Sequence, residues 1–140
     1  MIVNAKQEDI NSINQLGKTL YPNFEKIFKL DDYVYNKNYI ILLNKEENIN
    51  AFMIMYKNID CYELETIIVS EYARNNGIAT SLIKHFIKNY TINGDQIFLE
   101  VSCKNEQALK LYKKFDFNII NIRKKYYGDS DAYVMKKVIK

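Results

Sequence analysis

The residues with the clearest chemical potential lie in IIVSEYARNNGIATSLIKHFIKNY, residues 67–90, where an apolar run meets a polar turn and then a helical pattern. The turn holds the pattern R-x-x-G-x-A at Arg74–Ala79, and Gly77 is one of only four glycines in the chain. A helix that begins at such a turn exposes backbone N–H groups, which bind phosphate and other anions. Gly77 lets an anion approach the backbone, and Arg74 adds a positive charge. The pattern therefore predicts an anion site, with an ordinary strand-to-helix turn as the alternative.

Other common ligand-binding patterns are missing from the sequence. The turn lacks the GK[ST] of a P-loop and the GxGxxG of a dinucleotide-binding turn. Cys61 and Cys103 form no metal-ligand pattern, and His85 is the single histidine, so we expect no metal. Cys103 is better interpreted as a small buried hydrophobe.

Composition favours one domain over residues 1–140, with 48% hydrophobic and 26% charged residues. No apolar run approaches the roughly 18 residues of a membrane span, and no secretory segment follows Met1, so we expect a cytoplasmic protein without a membrane partner. The net charge of +3 is mild and its lysines are spread along the chain, so direct nucleic-acid binding is not expected. The densest basic run, Arg123-Lys124-Lys125, is typical of a solvated strand end, with a special basic patch as the alternative.

The hydrophobic pattern predicts elements that alternate between strands and helices. The end of the strand over 61–69 is apolar on both faces, which indicates that both faces are covered there. This order predicts one α/β domain with a mixed sheet. The predicted strands are 2–5, 39–43, 49–56, 61–69, 97–101, 117–123 and 132–138, and the predicted helices are 6–20, 23–36, the segment after Gly77 up to Tyr90, and 105–115.

Three segments resemble one family. The pattern at Arg74–Ala79 resembles the coenzyme A pyrophosphate loop of the GCN5-related N-acetyltransferase (GNAT) family, and LEVSCKNEQALKLYKKFDF at 99–117 resembles its later strand and helix. NIRKKYYGDSDAYVMKK at 121–137 resembles the ending of the ribosomal-protein-alanine N-acetyltransferase (RimI-like) subgroup. The resemblance covers roughly residues 50–137. It implies a GNAT-like α/β fold with a mixed, mostly antiparallel central sheet flanked by helices.

The resemblance also implies acetyl-CoA as co-substrate. Three residues at the end of the strand over 61–69 would offer backbone groups to the acetyl and pantetheine arm, while their side chains pack in the core. These residues are Ile67, Ile68 and Val69. Asn105 stands at a helix start, so its side chain is also predicted to cap that helix. The implied cofactor-binding residues are Ile67, Ile68, Val69, Arg74, Asn75, Asn76, Gly77, Ile78, Ala79, Thr80 and Asn105.

Acetyl transfer to an amine requires alignment of the reactants, removal of a proton from the amine and protonation of the leaving thiolate. Glu100 is the candidate base, because it is a charged residue in the apolar strand IFLEV and the resemblance implies a catalytic glutamate there. A solvent-facing glutamate is the alternative. Tyr112 is the candidate acid, since the family carries a thiolate-facing tyrosine at this place. A plain core tyrosine beside Ala108 and Phe115 is the alternative.

The acceptor groove has weaker signals. Tyr126 and Tyr127 are adjacent, so on a strand their side chains would face opposite ways. The RimI-like subgroup, which the chain resembles, uses such a pair beside the substrate's N-terminus. Leu64 and Glu65 are further candidates, although a simple amphipathic strand explains them equally well. The subgroup often has a Pro-Trp pair in its early helical region, whereas this chain has YPNF at 21–24.

Together these features predict an acetyl-CoA-dependent N-acetyltransferase that acts on a protein N-terminus, with a ribosomal protein as one option. An acetyltransferase of a small amine is the first alternative. A non-catalytic acyl-CoA-binding module is the second, and the presence of both Glu100 and Tyr112 speaks against it.

Overall fold

The computed structural model describes residues 1–126 and 128–140. The strands are β1 (Ile2–Asn4), β2 (Tyr39–Lys45), β3 (Ile49–Lys57), β4 (Tyr62–Val69), β5 (Gln96–Ser102), β6 (Asn118–Arg123) and β7 (Ala132–Val138), and the helices are α1 (Ile10–Lys18), α2 (Phe24–Ile27), α3 (Leu30–Tyr33), α4 (Ile78–Tyr90) and α5 (Glu106–Lys114). In the described residues these seven strands form one sheet in the order β1-β2-β3-β4-β5-β7-β6, and every neighbouring pair is antiparallel except β4 and β5. The predicted mixed, mostly antiparallel α/β fold is confirmed.

Helices cover both faces of β3, which is why residues 51–55 are buried without interruption. Along β3, Met53 packs in one buried cluster with Leu82 of α4, whereas its neighbour Phe52 packs in a second cluster with Ile13 of α1 and Phe24 of α2. This division follows from the alternation of side chains along a strand.

A bulge in β4 shapes the centre of the sheet. Ile54 of β3 pairs with Thr66 and Met55 pairs with Leu64, so Glu65 is the extra residue. An extra residue bends its strand and increases the local twist. The parallel pairing of β4 with β5 spans three residues of each strand and ends at the pair Leu64–Leu99. Beyond that rung the two strands separate, and we call this point the fork.

The early helical region differs from its prediction. A 3₁₀ turn over Gln7–Asp9 precedes α1, because the Asp9 carboxylate accepts a hydrogen bond from the backbone N–H of Lys6 at 2.9 Å and fixes that turn. The predicted second helix forms as the two short helices α2 and α3. Leu20, the last residue of the predicted first helix, lies outside α1 and is 48% exposed.

Gly17 allows α1 to pack closely on α2. A methyl group at this position would overlap the ring of Phe24, which is fully buried. We expect Gly17→Ala to lower the free energy of unfolding by about 1–3 kcal/mol, because the ring must move within a filled core. Urea denaturation measures this change. Gln15→Ala on the exposed side of the same helix is the control, and equal stability of the two variants would contradict the close packing.

Within the described ranges 1–126 and 128–140, none of the helices combines the length and the apolar character that crossing a membrane requires.

Candidate functional site

The turn between β4 and α4 leads directly into a helix, as its sequence predicts. Asn75 and Gly77 both adopt positive φ, at 66° and 73°, and Gly77 is the residue immediately before α4. The side-chain amide of Asn76 donates to the carbonyl of Ala73 at 3.0 Å, and the Arg74 Nε donates to the carbonyl of Val69 at 3.1 Å. These bonds fix the turn at the end of β4.

The start of α4 is open to a ligand. The N–H of Ser81 donates to the Gly77 carbonyl at 2.9 Å, so the amides of the three preceding helical residues have no carbonyl one turn earlier to bind. Apart from Gly77 and its two chain neighbours, no atom of the described residues lies within 4 Å of the place where a Cβ of Gly77 would stand. An anion can therefore approach these amides at the positive end of the helix dipole.

Beside this turn lies a groove of about 560 Å³, which we call the cationic groove. Its described lining contains two cations, Arg74 and Lys110, and no carboxylate. Eight of the eleven predicted cofactor residues line it, whereas Asn76, Gly77 and Thr80 belong to the same turn and helix start without lining the groove. The lining residues are Leu20, Ile67, Ile68, Val69, Ala73, Arg74, Asn75, Ile78, Ala79, Asn105, Gln107, Ala108, Lys110, Leu111 and Tyr112.

The end of β4 offers main-chain groups to this groove. Residues Ile67–Val69 pair with β3 on one edge, while their other edge lies beyond the fork, where β5 no longer pairs with them. The bulge at Glu65 also shifts the alternation, so that Ile67 and Val69 turn toward the cluster beneath α4 and α5. Both are half-buried because the groove occupies part of that face. An extended ligand arm could pair with this open edge as an added strand does.

Helix α5 forms the opposite wall of the cationic groove. The Asn105 side chain accepts a hydrogen bond from the N–H of Ala108 at 3.1 Å, so its predicted role as a cap is confirmed. Tyr112 is 9% exposed, lies 5.7 Å from the ring of Phe117 between ring centroids, and lines the groove. Tyr112 therefore packs in the core and faces the groove at once, which leaves both predicted roles compatible.

Asn105→Ala is expected to destabilise the fold by about 1 kcal/mol, because the start of α5 loses its side-chain cap. Asn105→Asp retains an acceptor and should restore most of that stability. Thermal denaturation of the two variants measures the difference. If the aspartate variant were as unstable as the alanine variant, the cap would not be the source of the effect.

A second groove, of about 650 Å³, lies beside the first, and we call it the carboxylate groove. Its described lining carries three carboxylates, Glu63, Glu65 and Glu100, and no lysine or arginine. The predicted residues Leu64, Glu65, Glu100 and Tyr126 all line it, whereas the prediction for Tyr127 lies outside the described residues. The lining residues are Tyr21, Ile27, Phe28, Glu63, Leu64, Glu65, Phe98, Leu99, Glu100, Tyr126 and Val134.

The two grooves share walls. Leu20 lines the cationic groove and the next residue, Tyr21, lines the carboxylate groove. Along β4, Glu65 lines the carboxylate groove and Ile67 lines the cationic one. Glu65 and Glu100 are the first residues past the last rung of the fork, one on each strand. The grooves are thus adjacent and differ in charge.

The two carboxylates at the fork have different surroundings. Partial burial raises the pKa of Glu65, and the negative charge of Glu63 raises it further. The Glu100 Oε1 accepts a hydrogen bond from the Arg123 Nη1 at 2.6 Å. That bond to Glu100 raises the pKa of the Arg123 guanidinium, which also stacks over the ring of Tyr126 at 4.2 Å from the centroid.

Sequence reasoning missed the contact of Arg123, which it interpreted as a solvated strand end. No local signal indicates this pair, because its partners are 23 residues apart and lie on strands that do not neighbour each other. The aromatic residues Tyr21, Phe28 and Phe98 of the carboxylate groove were also missed. The unusual YPNF segment at 21–24 was the available clue to Tyr21.

The sequence pattern of the acetyltransferase (GNAT) family matches residues 9–117, more than half of the chain. The chain belongs to this family. An N-alpha-acetyltransferase of Sulfolobus acidocaldarius is 41% identical over 73 residues, which cover 50% of this chain and 44% of that protein. N-alpha-acetyltransferase RimI of Mycobacterium tuberculosis is 32% identical over 78 residues, which cover 54% of this chain and 48% of that protein. The aligned region therefore spans about half the length of the curated relatives that the chain matches.

The fold of this GNAT chain is also that of solved acetyltransferases. The crystal structure of the ribosomal-protein-S18-alanine N-acetyltransferase from Escherichia coli superposes with a TM-score of 0.86, covering 100% of this chain and 94% of the other. The sequence identity is 23%, so this likeness concerns the fold.

Acetyl-CoA, which GNAT acetyltransferases use, suits the donor groups of this GNAT chain. The open helix start and Arg74 suit the pyrophosphate, and the open edge of β4 suits the amides of the pantetheine arm. Within residues 1–126 and 128–140, no group of three or more His, Cys, Asp or Glu side chains is placed to hold a metal ion.

Proposed function

We propose that this chain transfers the acetyl group of acetyl-CoA to the N-terminal α-amine of a protein. The observation that carries the proposal is the pair of adjacent grooves with opposite charge at the fork between β4 and β5. The cationic groove suits a polyanionic cofactor. The carboxylate groove suits an ammonium group, which carboxylates attract by charge.

In the proposed reaction the amine nitrogen attacks the thioester carbonyl carbon, a C–N bond forms and the C–S bond breaks. Glu100 accepts the proton that the amine loses, directly or through a water molecule, and Tyr112 gives a proton to the departing thiolate. An N-terminal amine has an ordinary pKa of about 7.7–8.0, so a carboxylate base suffices near neutral pH. The cofactor-binding residues are those predicted for the turn, β4 and Asn105.

The lining of the carboxylate groove supports a peptide acceptor. Tyr21, Phe28, Phe98 and Tyr126 provide aromatic walls along an open groove of about 650 Å³. Such a surface suits the first side chains of a polypeptide, because aromatic rings bury much apolar area with few rotatable bonds. The N-alpha-acetyltransferases among the relatives support the same acceptor class. A ribosomal protein in the cytoplasm is the target that the RimI-like ending favours, with Tyr126 and Tyr127 beside the substrate's first residue.

Mass spectrometry of peptides with varied first residues, incubated with the purified chain and acetyl-CoA, tests the proposal. We expect acetylation of the α-amine, and none in the same peptides when that amine is blocked beforehand. Acetylation restricted to lysine side chains, or to polyamines and other small amines offered in parallel, would replace the proposed acceptor by a small amine. Tight binding of acetyl-CoA without any transfer would indicate a non-catalytic binding module.

A further inference from the structure

We propose that Arg123 is a positioning residue, which orients the Glu100 carboxylate for proton transfer by holding one of its two oxygens. This inference rests on the proposed function, because it assigns Arg123 a role through the proposed base. Its geometric basis is the 2.6 Å bond from the Arg123 Nη1 to the Glu100 Oε1 and the stacking of the guanidinium on Tyr126.

The sheet register makes this contact specific. Glu100 of β5 lies opposite Val134 of β7, and Val134 in turn lies opposite Asn121 of β6. Arg123 is two residues beyond Asn121 on the same strand, so these two side chains lie on the same face of the sheet. Paired residues on neighbouring strands also share a face, so Arg123 and Glu100 project from the same side. The long arginine side chain therefore crosses β7 to reach Glu100 at the carboxylate groove.

Tyr126 holds the guanidinium from the other side. Its ring lines the carboxylate groove while Arg123 lies over the ring face, 4.2 Å from the centroid. A cation over an aromatic face gains electrostatic attraction and loses rotational freedom. Arg123 is thus fixed by two contacts, and its hydrogen bond holds one oxygen of the Glu100 carboxylate.

The charges near Glu100 explain why this carboxylate needs a cation in contact with it. We call the contact between Arg123 and Glu100 the brace. On β4, Glu63 and Glu65 line the same groove and repel it. On β7, the ammonium of Lys136 lies over an aromatic ring of β5. Arg123 supplies the cation in direct contact with Glu100, and it engages Oε1, so Oε2 is the oxygen that can receive the proton of the acceptor.

The contribution of this pair to stability is small, because the Arg123 and Glu100 side chains are 47% and 33% exposed. Ion pairs that water reaches are screened and stabilise folds weakly. An effect of Arg123 on turnover without an effect on stability therefore separates a positioning role from a structural one.

The test compares Arg123→Ala with Lys124→Ala. Lys124 is the neighbouring basic residue, and it pairs with Asp131 instead of Glu100. We expect Arg123→Ala to lower kcat by about three- to tenfold with an unchanged KM for acetyl-CoA and an unchanged Tm, and Lys124→Ala to behave as the wild type. Arg123→Lys should recover part of the loss, because the ammonium keeps the charge without the planar fork. In the Glu100→Gln background, Arg123→Ala should lower kcat no further.

Three outcomes would overturn the inference: equal behaviour of Arg123→Ala and Lys124→Ala, a loss of kcat that persists in full in the Glu100→Gln background, or a gain of kcat/KM. A gain of kcat/KM would mean that Arg123 competes with the acceptor amine for the Glu100 carboxylate. The assay uses whichever amine the wild type acetylates, so a change of acceptor class leaves the test intact.

A second measurement does not depend on turnover. Rotation of the Arg123 guanidinium, followed by ¹⁵N NMR of its Nη groups, should be slow in the wild type and fast in Glu100→Gln. Equal rotation rates would show that the brace does not exist. A slow rate in a chain that acetylates no amine would instead refute the proposed function, and with it the positioning role, while the brace itself would stand.

Discussion

Glu100→Gln is expected to lower kcat by about 10²–10⁴-fold, because the amide cannot accept the proton that the acceptor amine loses. The KM for acetyl-CoA should stay near the wild-type value, since Glu100 lines the carboxylate groove and the cofactor residues line the cationic one. Steady-state kinetics with a peptide acceptor measure both parameters. Glutamine keeps the size of the side chain, so the fold should remain intact.

Glu65→Gln is the matched comparison for this prediction. Glu65 is the first residue past the fork on β4, as Glu100 is on β5, and burial and the charge of Glu63 raise the pKa of its carboxyl group. A residue that binds the acceptor ammonium without accepting its proton should change the KM for the peptide more than kcat. If Glu65→Gln removed turnover while Glu100→Gln retained it, the base would be Glu65, and the assignment of Glu100 would be wrong.

The elements that carry local signals could be predicted from the sequence. The hydrophobic periodicity places all seven strands, α4 and α5 within a few residues of their bounds, since burial on one face imposes those periods, whereas the predicted helix over 23–36 is divided in two. The turn at Arg74–Ala79 was equally accessible, because glycine is the residue that adopts the positive φ of such a turn without steric cost. The cap at Asn105 was predicted for the same kind of reason.

The features that arise from pairing between distant segments could not be predicted. The bulge at Glu65 depends on how β3 pairs with β4, and that bulge bends β4 at the fork. The contact from Arg123 to Glu100 depends on the order β5-β7-β6, in which the last strand of the chain lies between β5 and β6. The sequence thus indicated the chemical groups, whereas their contacts follow from the sheet topology.

Tyr112→Phe is expected to lower kcat by about 10–10²-fold, because the leaving thiolate loses its proton donor. A phenol with an ordinary pKa near 10 can protonate a thiolate whose thiol has a pKa near 8.5 only when the two are in contact. Tyr112 lines the cationic groove, which is consistent with that contact. Its ring packs beside Phe117, and phenylalanine preserves that packing, so the free energy of unfolding should change by no more than about 1.5 kcal/mol.

Tyr133→Phe is the control, since Tyr133 packs against the same core cluster and lines neither groove. A Tyr112→Phe enzyme with full kcat would show that Tyr112 is a core residue alone. The leaving group offers a sharper discrimination, because the thiolate of a more acidic thiol leaves its acetyl thioester without help from a proton. The ratio of wild-type to Tyr112→Phe turnover should therefore approach one with such a donor. A ratio that stays the same for both donors would mean that the hydroxyl aligns the thioester instead of protonating the sulfur.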